Sequence, residues 1–284
     1  MNEFDQAVKD LIDSKLSDIE SHLDSDVIFF YGVISPGIIK NFRDFIETLK
    51  SDAVRRDVLT IFLNTPGGSV ETVEKLVDII RHHYNKLHFI VPDAAMSAGT
   101  IFCMAGDKIF MDYSSSLGPI DPQVWNGKQW VPALGYLDKV AELIKKANDG
   151  ILTDAEFIIL QNQDLAALNV YEQAKNLTNT LLKEWLVKYK FKDWLKHRDG
   201  RSVTQKEKED RANDVANKLG DNKYWHSHAR RIGIETIEKL LKLKIEDYTH
   251  NEKLRKLIRS YNDLTTEFIE KRGYANFFHS RNYF

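Results

Sequence analysis

Four short apolar runs set the frame of this chain: Val27 to Ile34, Val58 to Leu63, Leu87 to Val91 and Lys108 to Met111. They are rich in Val, Ile, Leu and Phe, and the first is apolar at nearly every position. Runs of that kind are typical of strands covered on both faces, whereas a strand with one wet face alternates. Between the runs, apolar residues return at helical spacing. Ser35-Pro36-Gly37 breaks the chain and starts a helix carrying Ile38, Ile39, Phe42, Phe45, Ile46 and Leu49. Ser69 is placed to cap a second helix, with Val70, Val73, Leu76, Val77 and Ile80 on one face. Strand and helix alternating at this rhythm predict a mostly parallel sheet with helices packed on it. Ligands of such sheets bind at the carboxyl ends of the strands.

The rest of the chain reads differently. Met1 to Ser25 is acidic and amphipathic, so residues 1–25 are expected to form an N-terminal helix ahead of a core at 26–150. From about Pro132 helical patterns dominate, and no strand is expected before Leu241 to Ile245. Thr204-Gln205-Lys206-Glu207 reads as a capping box opening a helix through Leu219, with Gly220 after it. Residues 151–284 are thus expected to be a mainly helical part, packing on the core or on neighbouring subunits.

Two turns at predicted strand ends carry the chemistry. Asn64-Thr65-Pro66-Gly67-Gly68 offers bare backbone N–H groups. Ala94-Ala95-Met96-Ser97-Ala98-Gly99-Thr100 offers a hydroxyl at a helix start, among residues too small to cover it. A nucleophile and an oxyanion-binding turn are the first two parts of an acyl-transfer site. The helix starting at Ala98 would turn the positive end of its dipole toward charge developing beside Ser97.

Composition narrows the classes. With a net charge of -2, the chain as a whole has no general attraction for nucleic acid or acidic membrane. Cys103 is its one cysteine, which excludes an intrachain disulfide. The start lacks the basic and continuous apolar segments of a signal peptide, and no stretch is apolar for long enough to span a bilayer. A cytoplasmic setting is the expectation, with no metal or cofactor required.

The segments Leu63 to Gly68, Ala94 to Thr100 and Ser116-Leu117-Gly118-Pro119-Ile120-Asp121-Pro122-Gln123 resemble the serine dehydrogenase proteinase family, a relative of signal peptide peptidase A with the ClpP/crotonase fold. A further echo lies at Tyr224 to Ile232. The resemblance implies a spiral of ββα units, a homo-oligomer, and hydrolysis of a peptide or polypeptide. It also implies a serine nucleophile at Ser97, with an oxyanion hole at the Gly67-Gly68 turn formed by Gly68 and the N–H of Ala98.

For the base, ClpP-type enzymes use a histidine on the turn after the strand that follows the serine. Here that turn, Gly118 to Gln123, holds none. Relatives of the signal peptidase type use a lysine downstream, and the most similar position is Lys139. Leu134, Leu137, Ala141 and Ile144 mark the expected apolar face of that helix, with Lys139 nearly opposite and Lys145 closer to its edge. A lysine base must be neutral, which takes burial or a cationic neighbour. Lys139, Lys145 and His228 are the three candidates.

Other features have plainer readings. Asp121 beside Pro122 suits a turn former. His226 and His228 lack a third partner for a metal and suit an ordered turn. Among the lysines of Lys183 to Arg201, the residues Leu182, Trp185, Leu186, Tyr189 and Trp194 suit a packing face. The tail Tyr274 to Phe284 is too aromatic for a free end and is expected to dock on a neighbouring subunit or partner. Two rival readings of the whole share the fold: a crotonase-like enzyme acting on acyl-CoA, and an inactive assembly scaffold.

Overall fold

The structure is a computed structural model that describes residues 3–52, 54, 56–125 and 130–284. Met1 and Asn2, the start of the expected N-terminal helix, lie outside the described residues.

Helix α1 (Glu3–Leu23) leads into β1 (Asp26–Tyr31), and a 3₁₀ turn at Pro36–Ile38 opens α2 (Ile39–Ser51). Then come β2 (Val58–Asn64), α3 (Val70–His83) and β3 (Lys86–Ile90). Ser69 caps α3 as expected, its Oγ accepting from Thr72 N–H at 3.0 Å. The short β4 (Ala94–Ala95) precedes α4 (Ala98–Met104), β5 (Lys108–Met111) and β6 (Ser116–Leu117). A hairpin of β7 (Gln123–Trp125) and β8 (Trp130–Pro132) follows, then α5 (Ala133–Asn148), α6 (Asp154–Gln161) and α7 (Leu165–Trp185). Helix α7 continues into a π-helical turn at Leu186–Lys190. The chain ends with α8 (Gln205–Leu219), α9 (Asn222–Trp225), α10 (Ile234–Lys239), β9 (Glu246–Asp247), α11 (Glu252–Arg272) and β10 (Phe277–His279).

The fold is α/β. Its main sheet runs β10-β1-β2-β3-β5-β9, parallel throughout except for β10. The unbroken apolar strands are covered on both faces, and alternation divides them. Ile28, Phe30, Ile61 and Leu63 face a core closed by α2, α3, α4, α7 and α8. Val27, Phe29 and Phe62 face a second core, closed by α1 and α11. Thr204 forms its capping box with Glu207, and α8 runs from Gln205 to Leu219.

Three expectations are corrected. The late strand is Glu246–Asp247, beyond Leu241 to Ile245, because β9 joins the edge of β5 through Phe110 and Met111. On α5 the residues buried are Ala133 and Leu143, while Ala141 and Ile144 stand exposed. The aromatic tail docks on its own chain. β10 pairs with β1, Phe278 stacks on Phe30 with centroids 4.7 Å apart, and Tyr283 stacks on Phe45 at 4.4 Å. Arg281 ties it down by bonding Glu20 at 2.9 Å, Asp26 at 2.7 Å and Asp52 at 2.9 Å.

Candidate active site

Beyond the carboxyl ends of the main strands lies a second row of short pairings. Ile34 bridges Gly68, Thr65 bridges Ala95, and β4 pairs with β6. Leu117 then bridges Ile232 in antiparallel sense, with both backbone bonds made, at 3.0 and 2.8 Å. This row sets side by side four loops that are distant in sequence: 65–69, 95–98, 117–121 and 228–232.

At the first loop, Ile34 N–H donates to Gly67 O at 2.9 Å and Ser69 N–H to Ile34 O at 2.8 Å. In a parallel pairing of this kind the bridged residue turns its own N–H away from the partner. The Gly68 N–H therefore points out of the row, and no acceptor for it is found among the described residues. Gly68 also lies against the neighbouring backbone, where an added Cβ would sit 2.0 Å from Ile34 O. A Cβ on Gly67 would come within 2.9 Å of Ser97 Cβ and 3.3 Å of Ala98 N, so the glycine turn and the serine turn touch.

Ser97 stands between β4 and α4 with φ 52° and ψ -115°. A side-chain-bearing residue rarely adopts positive φ, and such strain clusters at functional sites. The strain is held by pairings on both sides: Met96 N–H donates to Thr65 O at 3.0 Å, and Gly99 N–H to Met96 O at 2.8 Å. Thr100 Oγ1 lies 2.9 Å from both the N and the O of Gly118, which fixes the helix to the third loop. Among the described residues, neither the Ser97 hydroxyl nor the Ala98 N–H has a hydrogen-bond partner. Gly67, Gly68, Ser97 and Ala98 therefore form one cluster.

The two lysines do not join it. Lys139 is 55% exposed on α5, its Nζ bonded to Glu142 at 3.0 Å. Lys145 is exposed on the same helix. The lysine whose acidity the fold alters most is Lys190, whose ammonium is pushed down to about 8 by burial. It sits beside Cys103 and Asp107, beyond the far end of α4 from Ser97.

A histidine does lie on the loop that leads into the row's last pairing. His228 Nδ1 lies 2.9 Å from Asp121 Oδ1. Asp121 is 2% exposed and its other oxygen accepts from Gln123 Nε2 at 3.0 Å. In a neutral imidazole, donation from Nδ1 to the carboxylate leaves Nε2 as the acceptor, and Nε2 has no partner among the described residues. The bridge from Leu117 to Ile232 brings this segment in, assisted by Arg231 Nη1, 3.3 Å from Ser116 Oγ. The segment is secured from the other side by Trp225, buried and donating Nε1–H to Lys218 O at 2.7 Å. Asp121, read from sequence as a turn former, and His228 are thus one hydrogen-bonded pair. No sequence spacing announced it, because the partners belong to loops far apart in the chain that the Leu117 and Ile232 pairing brings together.

Comparison with known proteins was then informative. The family profile described as "ClpP-like SDH-type serine proteinase" matches residues 51–202, a little over half of the chain. Two uncharacterized proteins of Methanocaldococcus jannaschii are similar to it. One is 30% identical over 51% of this chain and 46% of its own length, the other 26% over 68% and 52%. The chain spans about half the length of these curated relatives. Two solved structures of the 1510-N membrane-bound stomatin-specific protease cover 82% of the chain and 84% and 80% of theirs. Their identities are 14% and 15%, and their TM-scores 0.47 and 0.46.

Proposed function

Since the chain belongs to the ClpP-like, SDH-type serine proteinase family, we propose that it is a serine peptidase in which Ser97 attacks the scissile carbonyl. His228 is the general base and Asp121 the residue that orients it. The observation that carries this reading is the hydrogen-bonded His228–Asp121 pair, on the two loops that flank the Leu117–Ile232 bridge at the end of the row that also carries Gly68 and the loop of Ser97.

In this reading His228 Nε2 takes the Ser97 proton as the hydroxyl attacks. Asp121 holds the correct tautomer and steadies the imidazolium that forms, as the carboxylate does in serine triads. The free N–H groups of Gly68 and Ala98 receive the negative oxygen, a contribution of about 3 kcal/mol per donor. His228 then returns the proton to the leaving amine, and water repeats the cycle on the acyl-enzyme. A lysine base at Lys139 has less support, because its amine is exposed and ion-paired, the opposite of what lowers a lysine pKa. The scaffold reading drew on the lack of a placed base, and the His228–Asp121 pair speaks against it.

The substrate class is polypeptide. Incubation with an unfolded protein such as reduced casein is expected to release peptides, and Ser97→Ala to release none. Equal release by both proteins would sink the proposal.

Self-assembly is part of the same reading. On α6 and the start of α7, Phe157, Ile158, Ile159, Leu165 and Val170 are each at least half exposed. Exposed apolar residues gathered at this density mark association surfaces, and a second copy of the chain is the proposed occupant.

A further inference from the structure

At the amino end of the main sheet, away from the Ser97 turn, lies an open cleft of about 800 Å³. It forms where the loop after the π-helical turn meets the connection from α10 to β9. Its position follows from topology: Lys244 just precedes β9, which runs parallel to β5. The cleft and Ser97 are therefore separated by the length of a strand, roughly 20 Å for six or seven residues.

The lining is strongly one-sided. Lys196, Arg198, Lys239, Lys242 and Lys244 face one carboxylate, Glu238. Two of the five cations are spoken for, since Lys239 bonds Glu235 at 2.6 Å and Lys244 bonds Glu246 at 2.9 Å. Lys196, Arg198 and Lys242 make no ion pair among the described residues. In a chain with net charge -2 overall, this is a local concentration of positive charge with no global counterpart. The backbone supports it at a strained point, with Lys242 held at φ 47°. The base of the cleft is apolar where Leu243, 2% exposed, and Trp194 line it.

We propose that this cleft is a second binding site, which docks an acidic stretch of a polypeptide substrate remote from the bond that is cut. The ligand's being a polypeptide rests on the peptidase reading; its negative charge rests on the cleft alone. Unpaired cations over an apolar base suit glutamate and aspartate interspersed with aliphatic residues. A nucleic acid strand would need a basic track with aromatic faces for successive bases. Here Trp194 is the one indole in the lining, and its ring packs edge-on against Phe191 at 5.9 Å and His197 at 5.5 Å. Glu238, Glu235 and Glu246 also break up the positive surface that a phosphate backbone would follow. Docking roughly 20 Å from Ser97 means the acidic stretch must lie at least six extended residues from the scissile bond.

The test is fluorescence anisotropy with fluorescein-labelled hexaglutamate, using Ser97→Ala protein so that no cleavage intervenes. Hexathymidylate with the same label is the comparison. The proposal expects hexaglutamate to bind more tightly than the oligonucleotide, with affinity falling steeply as salt is raised. It expects at least a tenfold loss in Lys196→Ala/Arg198→Ala/Lys242→Ala, made in the same background. The Lys196→Glu/Arg198→Glu pair, which leaves the strained Lys242 untouched, should lose at least as much. Made with Ser97 intact, the triple variant should still label with fluorophosphonate at the native rate, which shows that it is folded. Absence of hexaglutamate binding, binding within twofold in both variants, or tighter binding of hexathymidylate overturns the proposal. None of these outcomes bears on Ser97 as nucleophile, which the casein assay tests separately.

Discussion

At the scale of single residues, the site is built from positions where a side chain is either forbidden or strained. Gly68 has no room for a methyl group, because Ile34 O would lie 2.0 Å from its Cβ. Gly68→Ala must push the 67–69 loop off Ile34 and carry the proposed oxyanion donor with it. The expected result is a fall in acylation rate of about a hundredfold to a thousandfold, with His228 and Asp121 undisturbed. Rates measured with an activated ester check this; a fall of less than tenfold would mean that Gly68 is only a turn residue. Sequence reading reached Gly67, Gly68, Ser97 and Ala98, because small residues at strand ends leave a legible trace. It read Asp121 as a turn former and kept His228 as one of three candidate bases without pairing the two, because nothing local couples positions 121 and 228. It also set Lys139 and Lys145 on a helix whose buried face it drew wrongly: a 3.6 periodicity names a face but not what meets it.

At the scale of elements, strands β1 to β3 and β5 were legible because burial on both faces leaves few polar positions. The two- and three-residue strands were not, since Ala94-Ala95 or Glu246-Asp247 carry no strand preference and pair only because the surrounding fold presents an edge. β10 was hidden for the same reason, in a tail whose aromatic residues were legible but whose docking partner was not. Strand β3 carries its own pH sensitivity. His88 lies between Thr60 and Lys108 in the sheet, and burial lowers its pKa from 6.5 to about 4. A half-buried histidine whose pKa is lowered in this way binds fewer protons folded than unfolded. Stability from this group is thus intact above pH 6.5, declines as pH falls below it, and is fully lost below about 4. The loss amounts to about 2–3 kcal/mol. Urea melts at pH 7 and pH 4.5 should show that decline reduced in His88→Gln; identical pH dependence in both proteins would count against it.

At the scale of the whole molecule, two features stand apart from the proposed site. One is the exposed apolar surface of α6 and early α7, the other the aromatic tail that completes the sheet. If the apolar surface joins two copies, Phe157→Asp/Ile158→Asp should lower the mass measured by light scattering to that of a monomer of 32.9 kDa. A native protein that is already monomeric at micromolar concentration would refute that assignment. The fold draws four separated segments side by side through the row that runs from Ile34 to Ile232, and the proposed site is drawn from them. The rate at which a fluorophosphonate labels Ser97 tests that claim most directly, compared among the native protein, His228→Ala and Lys139→Ala. The account predicts labelling at Ser97 alone, slowed about a thousandfold or more by His228→Ala and within twofold of native in Lys139→Ala. Labelling lost in Lys139→Ala and kept in His228→Ala would contradict it.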